Sequence, residues 1–105
     1  MSVQPTEITK EQVLDALRNC YDPEIPVNVV DLGLVYEVNI QDHRVHLKMT
    51  LTSPACPVAP MVGEQARKLI EAVPGVSEAT VEFVWEPPWN PEMMSWEARD
   101  QLGML

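Results

Sequence analysis

The sequence predicts a small two-layer α/β fold of the α+β type: a three-stranded mixed sheet with helices packed mainly on one face, in the order α-β-β-α-β-α. Two stretches, residues 34–40 and 45–52, alternate apolar and polar side chains on either side of a short polar link, which is the pattern of an antiparallel hairpin. Between Pro57 and Val73 the period changes to that of a helix, and residues 79–86 then alternate again, as expected for a crossover returning to the same sheet.

Each element has its own signal. Thr9-x-x-Gln12 resembles a capping box that opens a helix over roughly residues 10 to 20, with Val13, Leu14 and Leu17 on its apolar stripe and Cys20 extending it as a small buried hydrophobe. Asp22-Pro23-Glu24-Ile25-Pro26 ends that helix, because residues before proline avoid the helical region. In the first strand Leu34, Tyr36, Val38 and Ile40 share one face, and Gln41-Asp42-His43-Arg44 turns into the second. There Val45, Leu47, Met49 and Leu51 face the core while His46, Lys48, Thr50 and Thr52 face away. The second helix is expected from Pro57, suited to a first turn, to Val73, with Val58, Met61, Val62, Ala66, Leu69 and Ile70 on its stripe and Pro74-Gly75 as its stop. Ala79, Val81, Phe83 and Trp85 form the apolar face of the third strand, and Asn90-Pro91 is expected to cap one short final helix through Leu102.

With 105 residues, 46% of them hydrophobic, the chain can build one such core and not two, so residues 1–105 are read as one domain. Sixteen acidic residues against seven basic ones give a formal charge of -9, with no basic cluster, which makes nucleic acid and anionic membrane surfaces poor partners. No apolar run approaches the length of a membrane span and the first residues lack a leader pattern, so a cytoplasmic location is expected, with Cys20 and Cys56 reduced.

Chain order has a consequence for chemistry. In a hairpin the start of strand one lies beside the end of strand two, so the loop from Asp22 to Gly33 ends next to Thr52-Ser53-Pro54-Ala55-Cys56-Pro57. If strand three runs parallel to strand two, its end at Trp85 joins them, and carboxyl ends of strands are where open sheets place their sites. Cys56 then stands at or beside a helix N-cap, where unpaired N–H groups and the helix dipole favour a thiolate. Asp22, Glu24 and Asp31 oppose that ionisation, and a bound cation would reverse the conflict, which makes Cys56 the candidate metal contact. Taken singly, each acid reads as a turn or helix cap and Thr52 as a cap of the second helix; Cys56 reads as functional. His43, in the turn, and His46, at the start of strand two, are far from it, so a Cys-His dyad is not expected. One thiolate is too few for an iron-sulfur cluster, which takes four ligands, so further ligands would come from carboxylates, a second protomer or a partner. Of the tryptophans, Trp85 reads as packed on the core and Trp89, in a proline-rich loop, as the partner contact.

Asp22-Pro23-Glu24-Ile25-Pro26, Asp31-Leu32-Gly33-Leu34-Val35, Thr52 through Pro57, Val73-Pro74-Gly75-Val76 and Trp85-Glu86-Pro87-Pro88-Trp89, in this order, resemble the SufT-like, PaaD-like family of metal-sulfur cluster biosynthesis proteins. The resemblance implies a small α/β fold and a non-catalytic, auxiliary role in maturing iron-sulfur proteins. It points to Cys56 as the residue of interest, with Asp22, Glu24, Thr52 and Ser53 around it. It also implies a transient iron or iron-sulfur cargo rather than a permanent cofactor, the iron-sulfur assembly machinery and apo client proteins as partners, and leaves a homodimer open. Members of the phenylacetate-degradation branch continue into a cysteine-rich tail; this sequence ends at Leu105 without one and is more similar to the shorter branch. The competing expectation is a thiol-dependent enzyme, or a non-catalytic subunit of an oxygenase complex.

Overall fold

Thr9 caps the first helix, α1 (Lys10–Leu17), by the expected reciprocal pair: its hydroxyl accepts from the Gln12 amide at 3.2 Å, and the Gln12 side chain accepts from the Thr9 amide at 3.0 Å. The computed structural model describes residues 8–22, 25–52 and 59–103. α1 is shorter than its stripe implied. The chain leaves it through Arg18 and Asn19, and Cys20 lies beyond the helix, where its carbonyl accepts from the Val29 amide at 2.8 Å. Cys20 is nonetheless fully buried, beside Val13 and Leu17 of α1 in one hydrophobic cluster.

Strands β1 (Val35–Gln41) and β2 (Arg44–Met49) pair antiparallel through the two-residue turn Asp42-His43. Asp42 takes φ 57, a left-handed conformation that Asp tolerates better than most residues. The chain then crosses through α2 (Ala59–Glu71) and returns as β3 (Glu78–Phe83), parallel to β2 from Arg44↔Glu78 to Met49↔Phe83. β2 is therefore the central strand, and Val45, Leu47 and Met49 are buried beneath α1 and α2. Burying each such side chain contributes about 1.5–3 kcal/mol. Val62, Ala66 and Ile70 are the buried stripe of α2, Val73 is buried just beyond its end, and Gly63 lets the helix approach the sheet: a Cβ there would stand 2.9 Å from the Phe83 ring.

Several details depart from the sequence pattern. A β-bulge between Val35 and Glu37 puts Tyr36 out of step, so Val35, Val38 and Ile40 pack toward the core while the Tyr36 hydroxyl donates to the Pro87 carbonyl at 2.8 Å. Thr50 is buried rather than facing solvent. α2 is described from Ala59 onward, with Pro60 among its described residues, and the expected start at Pro57 lies outside the described residues. Met61 is 67% exposed, because it lies about 100° around the helix from Val62, off the buried stripe. β3 ends at Phe83, before Trp85. The tail forms two elements in place of one helix: a 3-10 turn (Pro91–Met93) capped by Asn90, and α3 (Trp96–Gln101) capped by Ser95, whose hydroxyl accepts from the Ala98 amide at 3.1 Å.

Candidate functional site at the carboxyl end of the central strand

The register brings three chain segments to one edge of the sheet. Val35 at the start of β1 and Phe83 at the end of β3 flank Met49 at the end of β2. The edge extends by two further bonds, from the Thr50 amide to the Leu34 carbonyl at 2.9 Å and from the Val84 amide to the Met49 carbonyl at 2.8 Å. The parallel β3 that the predicted convergence required is thus present.

The loop from residue 20 to residue 34 is built from short-range bonds. Tyr21 and Asn28 form an isolated antiparallel bridge, and within it the Asp22 carboxylate accepts from the Ile25 amide at 2.8 Å. Asp22 is only 5% exposed. Asp31 closes an Asx arrangement with Asn28: the Asn28 side-chain amide donates to its carboxylate at 2.8 Å, and the Asp31 amide donates back to Asn28 Oδ1 at 2.9 Å. Both acids therefore do the turn-forming work that was their plainer reading.

The loop has two neighbours, and they divide its acids. On the Asp22 side, Cys20 Sγ lies 3.9 Å from the Val62 carbonyl and 3.6 Å from Gln65 Oε1, against the second turn of α2. Burial, and then the negative charge of Asp22, push the Cys20 thiol from its ordinary 9.0 up to about 11, so it stays a neutral core residue. On the Asp31 side, the C-terminal segment clamps the loop. The Ser95 amide donates to the Asp31 carbonyl at 2.7 Å, and the Trp89 indole N–H donates to the Leu32 carbonyl at 2.7 Å. Gly33, at φ 81, passes so close to Met93 that any Cβ would collide with the Met93 carbonyl oxygen.

Thr52 is the last described residue before the cysteine motif. Cys56, together with Ser53 and Glu24, lies outside the described residues, and the expected metal contact at Cys56 lies there with it. Among the described residues, no group of three or more His, Cys, Asp and Glu side chains could hold a metal ion. Both histidines sit on other parts of the sheet with partners of their own. His43 Nδ1 is 3.0 Å from the Gly75 carbonyl, and His46 contacts Thr80 Oγ1 at 2.6 Å and Glu82 Oε1 at 2.9 Å.

The two loop tryptophans exchange the packing expected of them. Trp89 is half-buried against the core and hydrogen-bonded, whereas Trp85 is 38% exposed and stacks on Phe83 with centroids 6.1 Å apart. Three further features differ from the sequence reading or, in the case of Tyr21, had no part in it. Thr50 Oγ1 is buried without a hydrogen-bond partner, Tyr21 is 52% exposed beside the buried Cys20, and Met61 projects from the first turn of α2. Only Met61 had a readable signal, its angular offset from the stripe.

Comparison with known proteins gives a consistent result. Residues 10–83 match a family model described as iron-sulfur cluster assembly protein. The chain is 48% identical over 98 residues to an Fe-S protein maturation auxiliary factor of Porphyromonas gingivalis, covering 92% of this chain and 93% of that one. It is 41% identical over 99 residues to the Fe-S protein maturation auxiliary factor YitW of Bacillus subtilis, covering 93% and 97%. Among solved structures, a Bacillus anthracis domain described as of unknown function superposes with a TM-score of 0.85 at 37% identity, covering 91% of this chain and 92% of that one.

Proposed function

Because the chain belongs to the iron-sulfur cluster assembly protein family, we propose that it acts as its relatives' names describe, as an auxiliary factor in the maturation of iron-sulfur proteins. The relatives are named as auxiliary factors rather than as enzymes, and the role is non-catalytic. The observation that carries the reading beyond the family is the convergence at the end of β2. The 20–34 loop, Thr50 to Thr52 and the segment after β3 meet where the chain runs on toward Cys56.

Cys56 is the residue we assign to the cargo, which is iron or an iron-sulfur cluster held transiently. A cluster takes four ligands and one thiolate supplies one, so the remaining ligands come from the donor or the client across an interface. Asp22, Glu24, Asp31, Thr52 and Ser53 are its supporting residues, and the carboxylates add negative charge that a cationic cargo would neutralise. The partners are the assembly machinery and apo client proteins. No helix among the described residues is long and apolar enough to cross a membrane, and the reading places the protein in the cytoplasm.

The test is Cys56→Ser in cells placed under heavy iron-sulfur demand. The variant is expected to keep the wild-type melting temperature and far-UV spectrum while the activities of iron-sulfur enzymes fall several-fold. Wild-type enzyme activities would remove Cys56 from the function.

A further inference from the structure

The sheet leaves one regular strand edge open. The two-residue turn makes Gln41 and Arg44 a hydrogen-bonded pair, so the backbone groups of Arg44, His46 and Lys48 point toward β1, as does the Thr50 amide, which reaches the Leu34 carbonyl. The backbone groups of Val45, Leu47 and Met49 therefore point toward β3. The Val84 amide on the Met49 carbonyl sets the matching parity there: Glu78, Thr80 and Glu82 bond to β2, and the backbone groups of Ala79, Val81 and Phe83 point away from the sheet. One of these is capped, because the Ala79 amide donates to Glu71 Oε2 at 3.3 Å while Arg67 Nη1 holds Glu71 Oε1 at 2.8 Å. Among the described residues nothing caps the amides of Val81 and Phe83. The opposite edge is built differently. β1 carries a bulge between Val35 and Glu37, a device that blunts an edge, whereas β3 has no bulge, proline or lysine from Glu78 to Phe83.

We infer that the 81–83 edge of β3 takes up an extended segment of a partner protein as a fourth strand, with apolar side chains on the α2 side of that segment and Lys or Arg on the other. Main-chain bonds give such an addition its affinity, and alternate side chains give it specificity. On the α2 side, Val81 and Phe83 face Gly63 and are packed against the core, and the Trp85 ring, 38% exposed, stacks on Phe83, so an added strand meets an apolar and aromatic border. On the open face of the sheet, Glu78, Thr80 and Glu82 are exposed, and cross-strand pairs of opposite charge are stabilising. A second copy of this chain is a poor occupant. Pairing β3 antiparallel with itself sets Glu78 opposite Glu82 in the register centred on Thr80, and Glu82 opposite Glu82 in the register centred on that residue. The register centred on Val81 still leaves the two Glu82 side chains as diagonal neighbours, and like charges so placed are destabilising. The formal charge of -9 favours a basic partner for the same reason. None of these residues belongs to the cargo site proposed above.

The experiment titrates short synthetic peptides of strictly alternating Lys-Val, Glu-Val or Lys-Ser sequence into the isotope-labelled full chain and follows backbone amide shifts and hydrogen exchange. The Lys-Val peptide is expected to bind saturably, to shift the Val81 and Phe83 amides and to slow their exchange several-fold. The Glu-Val peptide should leave both unchanged, and the Lys-Ser peptide, which carries the charge without the apolar side, should bind several-fold more weakly. N-methylation of the Lys-Val peptide at the alternate residues that face the edge should abolish binding, since strand addition needs those N–H groups. Glu82→Lys, at an exposed position whose contact with His46 adds little stability, is expected to keep the wild-type melting temperature and to weaken binding of the Lys-Val peptide several-fold. Absence of saturable binding, binding that survives methylation, equal binding of the Lys-Val and Lys-Ser peptides, or slowed exchange along β1 instead would each overturn the inference. So would protection of the Val81 and Phe83 amides that rises with protein concentration in the absence of peptide, which would give the edge to a second copy of the chain.

Discussion

The two ends of the sheet each contain a residue in the left-handed region, and the contrast between them shows how differently the ends are built. At the hairpin end Asp42, φ 57, is exposed and answers only to the local geometry of a two-residue turn. At the other end Gly33, φ 81, is pressed against the Met93 carbonyl, sixty residues along the chain. The first position is a matter of local conformation. The second is a junction between the 20–34 loop and the C-terminal segment, held also by Ser95 on the Asp31 carbonyl and Trp89 on the Leu32 carbonyl.

The sharpest way to break that contrast is Gly33→Ala. The new methyl group meets both the left-handed backbone penalty, about 1–2 kcal/mol, and a clash with backbone that cannot rotate away, so a loss of about 3 kcal/mol or more is expected in urea unfolding. A variant as stable as wild type would mean that the clamp is loose. A smaller effect probes the α2 side of the same loop. The folded Cys20 thiol is raised to about 11 and the unfolded thiol ionises near its ordinary 9.0. Stability from this group is therefore fully present below pH 9 and falls as the pH rises toward 11. The fall should level off at about 3 kcal/mol, and Cys20→Ala should lack it, as pH-dependent denaturation of the two proteins would reveal. The smallest effect belongs to the hairpin end: Asp42→Gly should change stability by no more than about 0.5 kcal/mol, because nothing beyond the turn depends on that side chain.

What the sequence made legible follows the same division. The Thr9-Gln12 capping box, the Asp42-His43 turn, the alternation of β2 and the Pro74-Gly75 stop are all local, and each is found where its residues put it. The parallel β3 followed from the handedness and length of the crossover. Around the site the decisive contacts are distant in sequence. Tyr36 leaves its alternation at a bulge and its hydroxyl meets Pro87, fifty-one residues on. Trp89 is withdrawn from solvent by the Leu32 carbonyl, and one expected C-terminal helix is divided because Ser95 is committed to Asp31. No period or motif encodes such pairings.

The bond from the Ser95 amide to the Asp31 carbonyl joins residues 64 apart in the chain, and the β1–β2 hairpin joins residues no more than 14 apart. Synthesis runs from the N-terminus, so the hairpin can close while the later residues are still inside the ribosome, and β3 can add to it only after α2 has emerged. The clamp comes last. A nascent chain therefore carries the 20–34 loop unclamped until Trp89 and Ser95 have emerged, so this edge of the sheet is completed only after the hairpin and the crossover beneath it are in place.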